Sequence, residues 1–310
     1  MQISTNGTQL EFEDHGSPSG EPLLLVMGLG MQLLGWHADF IALLVARGFR
    51  VIRFDNRDSG LSESFDADGV PNLAIDSLRY TFGIRVKSPY TLADMAADSV
   101  GILDALGIDR AHVCGASMGG MIAQHLATRW PERVKSLTLM MTSSGARRLP
   151  GPSLKVRAAM ISRPPDPGSI DSIVEHYVRL YALIGSPGYP AAPDELRERF
   201  SVSIRRSYRP AGTARQMVAI AADGDRSLTL SRIVVPTQII HGAGDALVPV
   251  AAGRDLHAKI AGAAIDVIDG MGHDLPRALW PRFVADIAGI AARAAAAPTP
   301  RRQAATATSP

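Results

Sequence analysis

The sequence Gly115-Ala116-Ser117-Met118-Gly119 carries the strongest structural signal in the chain. A short apolar run over 111–114 precedes it, and apolar residues at helical spacing over 119–129 follow it. A serine flanked by glycines two positions away on each side fits a tight turn from a strand into a helix. Such a turn lifts the hydroxyl above the edge of a sheet, at a helix N-terminus that favours negative charge. The pattern predicts that Ser117 is a nucleophile.

Alternating strand and helix patterns surround this turn. Predicted strands cover 3–5, 10–14, 22–27, 50–54, 111–114, 134–141, 237–241 and 265–268. Predicted helices cover 36–47, 91–106, 119–129, 251–260 and 277–293. Continuous apolar runs are typical of strands that are buried on both faces of a parallel sheet, and Asn6-Gly7 indicates an initial hairpin. The sequence therefore predicts an α/β fold with a mostly parallel eight-stranded sheet and helices on both faces.

The alternation stops between residues 145 and 225. That stretch contains helical patterns and Pro/Gly punctuation but no convincing strand. We interpret it as a helical cap inserted into an α/β core made of residues 1–144 and 226–293. Residues 294–310 are rich in Ala, Pro and Thr, and we expect them to form a disordered C-terminal tail.

The bulk composition is that of a globular protein. Of 310 residues, 46% are hydrophobic and 20% are charged, and 32 Lys+Arg oppose 30 Asp+Glu. This near balance gives no electrostatic case for binding nucleic acid or a membrane surface. Cys114 is the single cysteine, which excludes an internal disulfide. Because the first residues also lack a secretory pattern, we expect a cytoplasmic protein.

The predicted nucleophile needs a base, because a serine hydroxyl reacts poorly at neutral pH without one. His273 fits best among the eight histidines, since it lies in the glycine-rich loop Gly270-Met271-Gly272-His273 after a predicted strand. The alternative is an ordinary loop or capping histidine. His241 ends another predicted strand, and we expect it to pack beneath the acid rather than react.

Asp245 is the best candidate for the acid that orients the base. It follows a predicted strand at the same edge of the sheet as Ser117, where ligand sites of open α/β sheets gather. The alternative is that Asp245 caps the helix that follows. Asp266 and Asp269 fit less well, because the first lies inside a strand and the second lies close to His273 along the chain.

Two backbone N–H groups are expected to form the oxyanion hole, where the negative charge of a tetrahedral intermediate is stabilised. One is the N–H of Met118, directly after the nucleophile. The other is the N–H of Leu29, in the loop Gly28-Leu29-Gly30-Met31 after a buried strand. The polar turn over 55–62 meets the same sheet edge. We expect its role to be structural, with Arg57 paired to a carboxylate.

Apolar side chains surround this predicted site. We expect the substrate to contact Gly28, Met31, Trp36, Tyr177 and Tyr181. A lining rich in methionine and aromatic residues adapts to varied apolar groups, although each of these residues is also an ordinary core former. The chemistry requires no cofactor and no metal.

These residues together resemble the α/β-hydrolase superfamily over about residues 1–293. The narrower resemblance is to the group that contains aclacinomycin methylesterase and related bacterial carboxylesterases. It rests on Val26-Met27-Gly28, on Gly35-Trp36 and on the stretch from Arg53 to Ser62. The resemblance implies a triad of Ser117, Asp245 and His273, with Leu29 and Met118 as oxyanion donors. The chain departs from many superfamily members at Met27, where they have a histidine before the glycine.

The leading hypothesis is a serine esterase that hydrolyses small to medium apolar carboxylic esters through an acyl-enzyme. The same triad would serve a thioesterase, a lactonase, a C–C bond hydrolase or a perhydrolase. A non-catalytic receptor for a small molecule is the alternative from another class. We expect a small-molecule ester as the partner and neither nucleic acid nor a membrane, while the sequence does not predict the oligomeric state.

Overall fold

The computed structural model describes residues 1–296 and places its eight strands in one sheet. The strands are β1 (Gln2–Thr5), β2 (Thr8–His15), β3 (Glu21–Val26), β4 (Phe49–Phe54), β5 (Ala111–Ala116), β6 (Val134–Met140), β7 (Thr237–Gly242) and β8 (Ala264–Ile268). Their order is β1-β2-β4-β3-β5-β6-β7-β8. The pairs β1–β2 and β2–β4 are antiparallel, and all other neighbours are parallel. The predicted α/β fold with a mostly parallel eight-stranded sheet is confirmed.

Eleven α-helices are formed within the described residues. They are α1 (Ala38–Val45), α2 (Leu73–Thr81), α3 (Leu92–Ala105), α4 (Met118–Arg129), α5 (Leu154–Ile161), α6 (Ile170–Ile184), α7 (Pro193–Arg206), α8 (Pro210–Asp223), α9 (Ser227–Leu230), α10 (Ala251–Lys259) and α11 (Trp280–Ala296). Short 3₁₀ turns lie at Leu33–Gly35, Asp66–Asp68, Pro131–Arg133 and Arg277–Leu279.

Helices cover both faces of the sheet. Along β3, Leu23 and Leu25 pack on one face with residues of α1 and α11, while Leu24 and Val26 pack on the other face with residues of α3, α4 and α10. All four side chains are buried. Burial on both faces favours apolar residues at successive positions, which explains the continuous apolar run in the sequence.

Most predicted elements agree with the structure within a few residues. The helix α2 was not expected from the sequence. The last helix continues to Ala296, three residues into the stretch predicted to be disordered. The remainder of that predicted tail, 297–310, lies outside the described residues.

The predicted cap, residues 145–225, contains the four helices α5 to α8 and no strand. Helices α6 and α7 pack on each other around a small apolar cluster made of Val174, Val178, Leu196 and Phe200. The division of the chain into core and cap stays a prediction. In the part of the chain that the structure describes, no helix combines the length and the apolar character needed to cross a membrane.

Candidate active site

Ser117 lies in the sharp turn between β5 and α4. Its backbone has φ 54° and ψ −118°, a conformation that non-glycine residues seldom adopt. Glycines around it allow the turn to close: a β-carbon on Gly115 would lie 2.3 Å from the carbonyl oxygen of Gly119. One on Gly120 would lie 2.6 Å from the Thr142 side chain. Strain at one half-buried position of a well-packed turn fits a functional serine.

His273 and Asp245 meet Ser117 in one chain of hydrogen bonds. His273 Nε2 lies 3.0 Å from Ser117 Oγ, and His273 Nδ1 lies 2.7 Å from Asp245 Oδ2. Both His273 and Asp245 are buried, at 8% and 5% exposure. The imidazole tautomer with its proton on Nδ1 satisfies both contacts, because Nδ1 then donates to the carboxylate and Nε2 accepts from the hydroxyl. The three side chains proposed from the sequence are therefore in contact.

Backbone donors hold the Asp245 carboxylate in place. Asp245 lies in the loop after β7, and its Oδ1 accepts the N–H groups of Leu247 at 2.9 Å and Val248 at 2.7 Å. Bonds of this kind are what the alternative capping role of Asp245 would require, but they use only one carboxylate oxygen, Oδ1. The other oxygen, Oδ2, remains directed at His273. Asp245 thus stabilises its own loop and contacts the imidazole at the same time.

The end of α6 supports the loop that carries His273. The N–H of His273 donates to the carbonyl oxygen of Ile184 at 2.7 Å, and the N–H of Gly272 donates to Ser186 Oγ at 2.8 Å. Asp274 accepts a hydrogen bond from the Ser186 hydroxyl. Burial raises the pKa of the Asp274 carboxyl above its ordinary value. The predicted cap therefore helps to set the position of the imidazole.

His241 packs beneath Asp245, as expected from the sequence. It is fully buried, its Nε2 lies 2.8 Å from the carbonyl oxygen of Val248, and the same atom lies 3.7 Å from Asp245 Oδ2. Burial lowers the pKa of the imidazole, so the neutral form is favoured. A neutral His241 that donates to a carbonyl is a structural side chain.

The loop after β3 lies directly beside the nucleophile. A β-carbon built on Gly28 would stand 3.2 Å from Ser117 Cβ and 3.8 Å from Ser117 Oγ. Within residues 1–296, neither the N–H of Leu29 nor that of Met118 donates a hydrogen bond. Two backbone donors next to the serine thus remain available for a ligand oxygen, as an oxyanion hole requires.

The residues predicted to bind substrate divide into two groups. Gly28 is in contact with Ser117. The Tyr181 hydroxyl donates a hydrogen bond to the sulfur atom of Met31 at 3.5 Å. Tyr177 and Tyr181 both pack on Phe200. Their ring centroids lie 5.4 Å and 4.8 Å, respectively, from the centroid of the Phe200 ring. Burial raises the pKa of the Tyr177 hydroxyl to about 12, so Tyr177 stays neutral. The Met31–Tyr181 contact joins the loop after β3 to the predicted cap, while Tyr177 packs within the cap.

Trp36 does not belong to this group, which corrects the prediction that it contacts substrate. The 3₁₀ turn at Leu33–Gly35 carries Trp36 away from the sheet edge and onto the face covered by α1 and α11. There its indole is fully buried and stacks on Phe40, with ring centroids 5.9 Å apart. Trp36 is a core residue.

The polar turn over 55–62 has the structural role expected of it. Arg57 forms a buried bidentate pair with Asp98, at 2.7 and 2.6 Å. Asp55 accepts the N–H of Leu33 at 2.6 Å. Burial raises the pKa of the Asp55 carboxyl, although these donors oppose the effect. The turn therefore holds the end of the loop after β3 in place.

Sequence reasoning missed the side chains that reach this region from the predicted cap. Arg206 donates to Asp55 at 2.7 Å, and Arg215 forms two bonds to Asp58 at 2.8 and 2.7 Å. Gln216 accepts the N–H of Gly30, in the loop after β3, at 2.8 Å. Their partners lie about 150 or more positions earlier in the chain. No local pattern in one sequence pairs residues over such a distance.

Comparisons with known proteins agree with this architecture. The rhodomycin D methylesterase of Streptomyces sp. (strain C5) is 29% identical over 306 residues, covering 92% of this chain and 95% of the relative. A rhodomycin D methylesterase of Streptomyces peucetius is 29% identical over 307 residues, with the same coverage. The solved meta-cleavage product hydrolase of Pseudomonas fluorescens IP01 superposes with a TM-score of 0.73 at 22% identity, covering 95% of this chain and 98% of that one.

The predicted resemblance to a bacterial methylesterase group is confirmed by these relatives. At 22% identity the solved structure supports the fold alone. The model of the alpha/beta hydrolase fold matches residues 21–276, which is most of the chain and includes Ser117, Asp245 and His273. The chain therefore belongs to the alpha/beta hydrolase fold family.

Proposed function

We propose that this protein is a serine esterase that hydrolyses carboxylic esters through an acyl-enzyme. The observation that carries the proposal is the unbroken hydrogen-bond chain from Ser117 through His273 to Asp245, at 3.0 and 2.7 Å. Nucleophile, base and orienting acid are in contact in the order that this chemistry requires.

The first half-reaction forms the acyl-enzyme. Ser117 Oγ attacks the ester carbonyl carbon while its proton passes to His273 Nε2, and Asp245 stabilises the imidazolium that results. The N–H groups of Leu29 and Met118 bind the oxyanion of the tetrahedral intermediate. When the intermediate collapses, the bond to the alkoxy group breaks and His273 returns the proton to the departing alcohol.

The second half-reaction releases the acid. A water molecule loses a proton to His273 Nε2 and attacks the acyl carbon, which forms a second tetrahedral intermediate at the same donors. Its collapse breaks the bond to Ser117 Oγ, which recovers its proton from His273. The enzyme ends in its initial state and the net reaction consumes one water.

An apolar ester of small to medium size fits the surroundings of Ser117. Met31, Tyr177 and Tyr181 are half-buried, and the two tyrosines favour the neutral phenol because burial raises both pKa values. One charged side chain touches this group: Arg199 donates to the Tyr181 hydroxyl at 3.3 Å and lies over its ring, 5.1 Å from the centroid. The two methylesterase relatives support an ester as the substrate class.

The test uses p-nitrophenyl esters of increasing chain length with the wild type, Ser117→Ala and a matched control, Ser99→Ala. Within residues 1–296 the buried Ser99 hydroxyl bonds only to its own helix, at the carbonyl oxygen of Met95. We expect Ser117→Ala to lose about 10³-fold or more of kcat, and Ser99→Ala to keep it. Equal rates in the wild type and Ser117→Ala would overturn the proposal. Hydrolysis of thioesters or lactones but of no ester would replace it with one of the other triad reactions.

A further inference from the structure

Gln216 bridges the predicted cap and the loop after β3. It lies on α8 and its side chain is fully buried. Its Oε1 accepts the N–H of Gly30 at 2.8 Å, and its Nε2 donates to the carbonyl oxygen of Arg57 at 2.8 Å. Both ends of the amide are therefore engaged with backbone groups of the core.

The bond to Gly30 fixes the peptide that directly follows Leu29. A peptide unit is rigid, so holding the Gly30 N–H also holds the Leu29 carbonyl in the same plane. Leu29 stands between two glycines, which restrict the backbone less than any other residue. Gly30 has a φ angle of +65°, and glycine can move from this backbone conformation to others at little cost. The Leu29 N–H itself belongs to the preceding peptide, whose Gly28 carbonyl oxygen accepts the Met31 N–H at 3.3 Å. Residues 28–31 thus form a turn with the Leu29–Gly30 peptide at its centre, and the conformation of Leu29 depends on what holds that central peptide.

Helix α8 contacts the central peptide of this turn. A β-carbon on Gly30 would lie 2.7 Å from Thr213 Oγ1, which shows how closely the helix approaches. Other side-chain anchors lie on both sides of it. The Met27 carbonyl accepts the Asn56 amide at 2.9 Å, the Met31 carbonyl accepts the Ser59 hydroxyl at 2.9 Å, and Gln32 donates to carbonyl groups of the predicted cap. The Gln216 bond is the one that adjoins the Leu29 peptide.

We propose that Gln216 is a positioning residue that orients the Leu29 N–H for the oxyanion. This inference rests on the proposed function, in which Leu29 is an oxyanion donor. It implies that the helices of the predicted cap set the rate of bond breaking as well as the choice of ester. Gln216 itself does not touch Ser117, His273 or Asp245 through any hydrogen bond within residues 1–296.

The test compares Gln216→Met with Gln124→Met. Methionine keeps the length and volume of glutamine but forms neither bond, so the packing of α8 is retained. Gln124 is a matched control because it is equally buried and also bonds at both ends, to the Ser143 carbonyl and to Arg226. Gln216→Asn serves as a second variant, since its shorter side chain withdraws the acceptor from Gly30 while it remains an amide.

We expect Gln216→Met to lower kcat for a p-nitrophenyl ester by about 10- to 100-fold, while KM changes less than about twofold. Affinity for a boronic acid, which mimics the tetrahedral intermediate, falls by a similar factor. Amide hydrogen exchange in the peptide that contains Leu29 and Gly30 becomes faster. Gln124→Met changes none of these three quantities.

The outcomes separate this inference from the proposed function. If Ser117→Ala is inactive and Gln216→Met keeps its kcat, the role of Gln216 is refuted and the triad stands. Unchanged hydrogen exchange at Gly30 in Gln216→Met also refutes it, even if kcat falls, because the loop is then held by something else. If Ser117→Ala is as active as the wild type, the proposed function fails and the role of Gln216 fails with it.

Discussion

Gly119 rests directly on the backbone of Val26: a β-carbon on Gly119 would lie 2.0 Å from the Val26 carbonyl oxygen. The first turn of α4 therefore meets the end of β3 with no side chain between them. This contact places the loop with Leu29 beside the turn with Ser117. The two parts of the candidate oxyanion hole are joined by a glycine that carries no chemistry of its own.

Gly119→Ala should therefore disrupt the fold around Ser117. The added methyl group collides with backbone atoms, which cannot rotate away, and we expect the free energy of unfolding to fall by about 3 kcal/mol or more. Gly289→Ala is the control, because nothing lies within 4 Å of its added β-carbon in α11. That variant should gain up to about 1 kcal/mol from helix propensity. Urea denaturation of both variants checks the prediction, and equal stabilities would contradict it.

Asp245→Asn should reduce kcat by about 10³- to 10⁴-fold while the fold is kept. An asparagine amide can donate to His273 Nδ1, which moves the imidazole proton to Nε2 and removes the acceptor for the Ser117 hydroxyl. Asp269→Asn is the matched control, since Asp269 is exposed and lies in the next loop. Steady-state kinetics of the two variants decide the assignment. Loss of activity in Asp269→Asn alone would mean that the acid is misassigned.

The turn that carries Ser117 was predictable from the sequence because local sterics define it. Glycine at 115 and 119 is required by backbone atoms within 3 Å, so the pattern in the sequence reflects a physical necessity. The Asn6-Gly7 hairpin is similar, since both residues have the positive φ that such a turn needs. In the parallel part of the sheet, β3 is apolar from Leu23 to Val26 because both faces are buried there.

Helix α2 and the orientation of Trp36 were not predictable for a different reason. Ile75 and Leu78 of α2 are 49% and 59% exposed, so the apolar spacing of this helix does not mark a buried face. Trp36 follows the loop after β3 along the chain, and the path of the 3₁₀ turn decides which side of the sheet it reaches. Such outcomes depend on tertiary packing rather than on local pattern.

Arg215→Met should cost about 3–5 kcal/mol of the free energy of unfolding. Arg215 and Asp58 are both almost fully buried, so removing the guanidinium leaves an unpaired carboxylate away from water. Adding Asp58→Asn should restore part of the loss, because the double variant buries no charge at this position. A double-mutant cycle by chemical denaturation measures the coupling.

Arg197→Met is the control for that cycle. Arg197 pairs with Glu175 and Asp194 at the surface of α7, with 45% of its side chain exposed. Exposed ion pairs are screened by water and add little stability. We expect the stability of this variant to stay close to that of the wild type. A loss as large as that of Arg215→Met would mean that burial is not the cause.

The free energy of unfolding should decrease as the pH is lowered, because of His112. His112 is buried beside Ser136, at 2.7 Å, and burial lowers the pKa of its imidazole to about 4. In the unfolded chain the pKa is about 6.5, so between these values the unfolded state takes up a proton that the folded state refuses. Above a pH of about 6.5, His112 makes its full contribution to the free energy of unfolding. This contribution should decrease by about 2–3 kcal/mol as the pH falls to about 4.5.

Urea denaturation at pH 7 and pH 4.5 checks this prediction. His112→Asn should show a smaller loss between the two pH values than the wild type, because asparagine does not titrate. His257→Asn removes an exposed histidine and should show the same loss as the wild type. Identical pH dependence in all three proteins would rule out His112 as the source.

Three side chains of the predicted cap bond to groups of the core: Arg206, Arg215 and Gln216. The cap and the core of this chain are therefore matched to each other, and exchanging the cap alone would break these contacts. A chimera that grafts residues 145–225 from a relative onto this core would import a new apolar lining, but it would also replace these three side chains. Such a chimera should bind the relative's ester and turn it over slowly unless the three contacts are transplanted as well. Engineering of substrate range therefore has most freedom at cap positions that do not meet the core.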